Sequence, residues 1–192
     1  FGNMDNEPDT PLVHAIDTYL EGQEIGNLKM IDKVTKNAPQ AIKRLVKMGA
    51  DFHKEPNGKI SQRYFGAHTY RRTIFKGDMT GFEIMRVLSD QVEKYKIPHM
   101  DNLYISKILV EKGKLVGAVG IRNNRFVVIN APIVVLCTGG YSNLFKRSSQ
   151  RNTEGYGDVI ALVFDLGAKV GDMEMIQFHP TGLLYPEEVA GE

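Results

Sequence analysis

The feature that most limits how this chain can fold is an unbroken apolar run that ends in two glycines, "IVVLCTGG" at residues 133–140. Such a run is typical of a strand buried on both faces of a parallel sheet. Ligands of open α/β sheets bind beyond the carboxyl ends of the strands, where a residue without a Cβ lets the backbone approach them closely. The sequence therefore predicts an α/β fold with a ligand at Gly139 and Gly140, although a plain strand-to-loop turn would also explain this glycine pair.

Before Pro98 the apolar residues recur with a helical period. One helix is predicted from Thr10 or Asp9 to Gly22, and residues 28–47 form two helices or one bent at Pro39. A third is predicted after a capping box formed by Thr80 and Glu83, and it runs towards Lys94. The dipeptide Asn57-Gly58 indicates a type I′ hairpin between short strands.

After Pro98 the apolar residues recur at every second position, which is the period of a β-strand. Three short runs rich in Val, Ile and Leu predict an antiparallel meander, with strands over Leu103–Val110, Leu115–Ile121 and Arg125–Ile129. The turns are expected at Lys112-Gly113 and Asn123-Asn124. A further helix is predicted over Asp158–Leu166, closed by Gly167.

Charge and cysteine content exclude several classes of function. The 192 residues include 24 basic and 23 acidic ones, so the formal net charge is +1. This charge gives no strong electrostatic attraction to nucleic acid or to an acidic membrane surface. The single cysteine, Cys137, indicates a reducing compartment, and the cytoplasm is the expected location. No apolar run is long enough to span a bilayer. The five histidines are scattered without metal-ligand spacing, so no metal site is predicted.

Two other polar positions have both a functional and a structural interpretation. Asp158 could accept hydrogen bonds from a ribose or ribityl hydroxyl at the start of its helix, or could simply be the N-cap. His179, in "QFHPTG", could donate to a substrate carboxylate or transfer a proton, or could pack beside Phe178 in a tight turn. The segment "RRTIFKGD" at residues 71–78 is interpreted as a solvated charged loop.

The order of these motifs resembles the flavoprotein subunit family of succinate dehydrogenases and fumarate reductases. The resemblance is carried by "APIVVLCTGGYSNLF", by "NTEGYGDVIALVFDLGAKVGDMEMIQFHPTG" and by the upstream "RRTIFKGDMTGFEIM". Its most specific part is Asp172–Gly182, and it extends more loosely back to about Leu28. Gly182, where the related L-aspartate oxidases have alanine, favours a succinate or fumarate enzyme.

The resemblance implies an FAD cofactor and a dicarboxylate substrate. Thr138, Gly139 and Gly140 would approach FAD, Asp158 would hold its polar chain, and the backbone near Ile105 would meet the adenine. His179 would bind a carboxylate of succinate or fumarate, and hydride would pass to or from flavin N5. The fold would be part of a Rossmann-like FAD-binding domain with the meander inserted, over residues 1–176. Residues 177–192 would begin a substrate-capping domain.

Other features depart from the family pattern. The chain has no GxGxxG, which opens family members and seats the FAD pyrophosphate at a helix N-terminus, and "GYGDV" replaces the usual threonine-glycine-aspartate-glycine. The chain is therefore expected to be an internal piece of a longer flavoprotein, inactive alone and prone to self-association. The alternatives are an L-aspartate oxidase, a ketosteroid dehydrogenase, or a non-catalytic binding or assembly module. In the complete protein the resemblance implies an iron–sulfur partner protein, at the inner face of the membrane.

Overall fold

The computed structural model describes residues 7–150, 154–178 and 185. The chain divides into two compact units, Phe1–Pro98 and His99–Glu192. The first unit is mainly helical, and the second is built on an antiparallel sheet. Among the described residues, no helix is both long and apolar enough to cross a membrane.

Two helices open the first unit. Helix α1 spans Pro11–Glu21, and its N-cap is Thr10, whose hydroxyl accepts a hydrogen bond from the backbone of Val13 at 3.2 Å. Helix α2 spans Leu28–Lys47 and continues through Pro39, so of the two predicted alternatives the structure has the single helix. Proline removes one hydrogen bond of the helix but leaves the remaining turns in register, and the tertiary packing of α2 compensates for that loss.

The remainder of this unit surrounds a small apolar core. Strands β1 (Gln62–Arg63) and β2 (Thr73–Ile74) pair antiparallel, and helix α3 follows over Thr80–Lys94. The core consists of buried and partly buried side chains from α2, α3 and the segments between them, namely Ala50, Phe52, Val87, Ile42, Leu45, Ile60 and Ile74. It holds α3 against the loop that follows α2.

Two local predictions in this unit are wrong. At Asn57-Gly58 only the glycine has a positive φ, whereas a type I′ turn requires both residues to have one. The backbone instead closes a turn from the N–H of Gly58 to the carbonyl of Glu55. The capping box is also absent, since the N-cap of α3 is Met79 and makes no side-chain capping hydrogen bond. The hydroxyl of Thr80 accepts from the backbone of Lys76 instead, at 3.0 Å.

The second unit confirms the predicted meander. Strands β3 (Tyr104–Glu111), β4 (Lys114–Arg122) and β5 (Arg125–Asn130) form one antiparallel sheet in the order β3-β4-β5. All four turn residues have positive φ, as type I′ turns require: 50° and 75° at Lys112-Gly113, and 50° and 57° at Asn123-Asn124. Ile108 and Ala118 are buried on one face of this sheet.

The apolar run after the meander is extended but does not form the predicted buried parallel strand. Ile133 and Val135 are 78% and 80% exposed, and both sheets among the described residues are antiparallel. Only the opposite side of the run packs, because Val134 and Leu136 line an apolar groove together with Ile108. A strand buried on both faces needs neighbouring strands, and the described part of this chain pairs no strand with these residues.

Helix α4 spans Asp158–Phe164, close to its predicted bounds. Gly167, with a φ of 86°, ends it as predicted. The backbone N–H groups of Gly167 and Ala168 donate to the carbonyls of Phe164 and Val163, which is the Schellman pattern. Val163 and Ala168 form the α4 side of the apolar groove that Ile108 lines.

Candidate cofactor site

The predicted ligand-binding turn has an open backbone surface. Gly139 has a φ of 70°, which a residue with a side chain rarely adopts. A Cβ added to either Gly139 or Gly140 would meet no atom within 4 Å. Packing within the described chain therefore does not require glycine at these positions. The backbone at these two glycines is open on this side, which leaves room for a ligand to approach it.

Asp158 is not the N-cap of α4. The N-cap is Gly157, in the left-handed conformation with a φ of 73°, and Asp158 is the first helical residue. Its side chain is exposed and makes no capping hydrogen bond among the described residues. The structural alternative for Asp158 is therefore wrong, and the carboxylate is available to accept hydrogen bonds from a hydroxyl group.

One aromatic side chain joins the glycine turn to Asp158. Tyr141 follows Gly140 directly, and a Cβ added to Gly157 would lie only 2.7 Å from the Cβ of Tyr141. The backbone N–H of Asn143 donates to the carbonyl of Gly155 at 3.0 Å, which fastens the same two loops a second time. Thr138–Gly140 and Asp158 therefore lie at the ends of neighbouring loops. Sequence reasoning missed Tyr141, because nothing local marks an aromatic residue after a glycine pair.

One further observation concerns a buried polar group next to these loops. The hydroxyl oxygen of Ser142 is buried and has no hydrogen-bond partner among the described residues. A buried hydroxyl without a partner is costly, so a ligand group or water at this point would stabilise it.

Ile105 lies on β3, an edge strand with a register shift between Ile105 and Lys107. The outer edge of such a strand presents backbone N–H and C=O groups that can bind a ligand.

His179, the predicted substrate-binding residue, lies outside the described residues. The preceding segment is described up to Phe178, which is 85% exposed. It contains a turn closed by a hydrogen bond from the backbone of Met175 to the carbonyl of Asp172, at 2.9 Å. The predicted domain boundary after residue 176 is adjacent to His179, and it stays a prediction.

The first unit contains a buried ion cluster where a solvated loop was expected. The guanidinium of Arg72 donates to both carboxylate oxygens of Asp9, at 2.8 and 3.0 Å, and to Asp17 at 2.6 Å. These three side chains are 6%, 8% and 9% exposed. The backbone and hydroxyl of Thr69 also donate to Asp17, at 2.8 and 2.6 Å. The interpretation of residues 71–78 as solvated is thus wrong at Arg72, whose partners fasten the start of α1 to this loop.

The cluster forms one side of a cleft of about 320 Å³ that also contains two imidazoles. The rings of His14 and His68 lie edge to face with their centroids 6.3 Å apart. Burial lowers the pKa of each below its ordinary value, and the charge of Arg72 lowers it further. Burial alone would raise the pKa of Asp17, but hydrogen bonds from Thr69 and Arg72 bring it below its ordinary value. The folded state therefore favours neutral imidazoles beside a charged ion cluster.

A second ion cluster joins α3 to the loop after α2. Glu83 is buried and accepts hydrogen bonds from Arg86, at 2.7 and 3.0 Å, and from the backbone of Asp51 at 2.7 Å. The Arg86 guanidinium, followed by the Asp51 N–H, lowers the pKa of Glu83 to about 2. Glu83 therefore acts as an acceptor between two elements rather than as the second half of a capping box.

Comparison with known proteins identifies the family. A family described as "FAD binding domain" matches residues 1–191. The chain is 37% identical, over all of its length, to a fumarate reductase (CoM/CoB) polypeptide of Methanothermobacter marburgensis, and it covers 35% of that protein. It is 31% identical over 97% of its length to an L-aspartate oxidase of Mesorhizobium japonicum, covering 38% of it.

The fold is also similar to solved structures. "Mycobacterium smegmatis Sdh1 in complex with UQ1" matches 96% of this chain with a TM-score of 0.87 and 38% identity, and the chain covers 33% of that structure's chain. The chain therefore spans about a third of the length of the relatives it matches. This likeness confirms the predicted fold class, and the family match confirms FAD as the cofactor. Because both its sequence and its backbone fold match, the chain belongs to the FAD-binding domain family of flavoproteins.

Proposed function

We propose that this chain is part of an FAD-dependent oxidoreductase that interconverts succinate and fumarate. The observation that carries the proposal is the meeting of the Thr138–Gly140 turn with the Asp158 loop, in a chain of the FAD-binding family. The open glycine backbone suits the close approach of a flat cofactor, and the exposed carboxylate suits a ribose or ribityl hydroxyl. Bound FAD supplies hydride transfer at flavin N5.

Each predicted site residue has a distinct role in this proposal. Thr138, Gly139 and Gly140 contact the cofactor, Asp158 accepts hydrogen bonds from its polar chain, and the backbone at Ile105 contacts the adenine. His179 donates a hydrogen bond to a substrate carboxylate and orients the dicarboxylate. The substrate assignment is supported by the "HPTG" motif and by the identity of 37% with a fumarate reductase polypeptide.

Substitution of His179 tests the substrate role in the flavoprotein that contains this chain. His179→Ala removes a charge-assisted hydrogen bond of roughly 1.5 to 3 kcal/mol, so KM for fumarate should rise by more than about tenfold. FAD content should hardly change, because this residue binds substrate. A loss of flavin with an unchanged KM would instead assign His179 a packing role, and a collapse of kcat at normal KM would make it a proton donor.

The second candidate is an L-aspartate oxidase, which the identity of 31% over most of the chain supports. Substrate profiling of the same flavoprotein separates the two candidates. Reduction of fumarate without oxidation of L-aspartate supports our proposal, and the opposite result contradicts it.

Within the proposal, an iron–sulfur protein exchanges electrons with the flavin, and the flavoprotein is cytoplasmic, held at the inner face of the membrane by its partner subunits.

A further inference from the structure

Three segments of the second unit meet at Tyr141: two of them carry proposed cofactor residues, and the third leads to His179. The glycine turn at residues 138–140 ends directly before this tyrosine. The Asp158 loop contacts it through Gly157, and the segment that leads to His179 contacts it through Met173. Each of these contacts has its own physical basis.

The contact with Gly157 is one of shape. The Cα, Cβ and Cγ of Tyr141 all lie within 3.8 Å of the position that a Cβ on Gly157 would occupy, the nearest at 2.7 Å. A separation below 3.0 Å is not found between real atoms of this kind, so any larger residue at position 157 would displace Tyr141. The base of the half-buried Tyr141 side chain thereby sets the distance between the glycine turn and the residue that precedes Asp158.

The contact with Met173 is a hydrogen bond. The phenolic hydroxyl of Tyr141 donates to the carbonyl of Met173 at 2.8 Å, across 32 residues of sequence. Met173 lies inside the turn that Asp172 and Met175 close. Asp172 has a positive φ of 56°, an uncommon conformation for a residue other than glycine. This one bond therefore anchors a turn that begins seven residues before His179.

We propose that Tyr141 is a positioning residue, which sets residues 172–178, the segment that leads to the substrate-binding histidine, relative to the loops that hold FAD. The base of the side chain and the hydroxyl have different roles. The Cα, Cβ and Cγ of Tyr141 keep the Asp158 loop against the glycine turn and so support cofactor binding. The hydroxyl fixes the turn at Met173 and so supports substrate binding. The inference rests on the proposed function only for the identity of the substrate.

Two substitutions in the flavoprotein that contains this chain separate the contact with Gly157 from the hydroxyl. Tyr141→Phe keeps the contact with Gly157, so FAD affinity should stay within about twofold of wild type, while KM for fumarate rises about three- to tenfold at nearly constant kcat. Hydrogen–deuterium exchange should become faster over residues 172–178 and stay unchanged in the meander. Gly157→Ala drives a Cβ against the Cβ of Tyr141, and the dissociation constant of FAD should rise at least about tenfold.

Tyr95→Phe is the matched control, because Tyr95 is exposed at the end of α3 and lies outside the candidate site. It should leave FAD affinity, KM and exchange unchanged. The proposal is overturned if Tyr141→Phe leaves both exchange over residues 172–178 and KM at wild-type values, or if it loses FAD as fully as Gly157→Ala. FAD titration and exchange need no substrate. A wild-type protein that binds FAD but does not reduce fumarate would contradict the proposed function, while these two measurements would still test the role of Tyr141.

Discussion

Replacement of Arg72 by alanine should destabilise the first unit more than any change to an exposed ion pair. The guanidinium makes three charge-assisted hydrogen bonds to Asp9 and Asp17, and all three side chains are less than a tenth exposed. Two carboxylates buried together repel one another when the cation between them is removed. The substitution therefore acts through the charges that it leaves behind as well as through the lost bonds.

The expected loss follows from this geometry. Removing one partner of a buried ion pair costs about 3 to 5 kcal/mol, and the lower end applies here because Thr69 still donates twice to Asp17. Arg72→Lys keeps the charge but not the planar fork that binds both oxygens of Asp9, so it should cost about 1.5 to 3 kcal/mol. A domain is stable by only about 5 to 15 kcal/mol, so the alanine variant should be near its unfolding threshold.

Urea denaturation of the chain, followed by circular dichroism at the helical minimum, measures these losses. Lys36→Ala is the control, because the pair between Lys36 and Asp32 is 66% and 55% exposed and should contribute less than about 0.5 kcal/mol. The order of destabilisation should be Arg72→Ala, then Arg72→Lys, then Lys36→Ala. An Arg72→Ala variant no less stable than Lys36→Ala would refute the conclusion that this cluster is buried and holds α1.

Three further predictions use other features of the chain. Because the pKa values of His14 and His68 are lowered on folding, the unfolded chain binds protons more readily, and the free energy of unfolding should fall as pH decreases below 6.5. The double variant His14→Gln/His68→Gln should weaken this dependence, and an unchanged dependence would contradict the assignment. Glu83→Gln should lower the free energy of unfolding at neutral pH, and it should reduce the fall in this free energy between pH 4.5 and about 2. Asp90→Asn, which changes an exposed partner of Arg86, should have a smaller effect. The isolated chain, which lacks GxGxxG, should emerge colourless from gel filtration with FAD, and a stoichiometric yellow complex would disprove this.

The meander could be predicted from the sequence because its determinants are local. Alternating β-branched residues define each strand, and a turn such as Asn123-Asn124 tolerates the positive φ that a tight hairpin needs. Pairing then follows between neighbours in sequence, with Ile121 opposite Phe126. No distant residue has to be known for this part of the fold.

Positions whose partners are distant could not be predicted in the same way. Thr80 and Glu83 have the spacing of a capping box, but each makes a different bond, and Glu83 bonds to a residue 32 positions away. Arg72 lies in a charged segment, and its partners Asp9 and Asp17 are 63 and 55 residues away. Local spacing gave no sign of either arrangement, because a charged residue next to other charged residues is usually solvated.

The candidate site combines both kinds of information. A ligand-binding role is predicted for Gly139 and Asp158 from their chemistry, because glycine lets a ligand approach the backbone and a carboxylate accepts from hydroxyl groups, and this role stays a prediction. Their proximity could not be predicted, because it depends on Tyr141 fitting against a glycine 16 positions away in the sequence. Glycine at position 157 is needed for two reasons, its left-handed conformation and the space that Tyr141 occupies. A substitution at Gly157 should therefore alter FAD affinity through Tyr141 even though Asp158 keeps its carboxylate, and Tyr141→Ala should not rescue Gly157→Ala, because alanine keeps the Cβ that causes the clash.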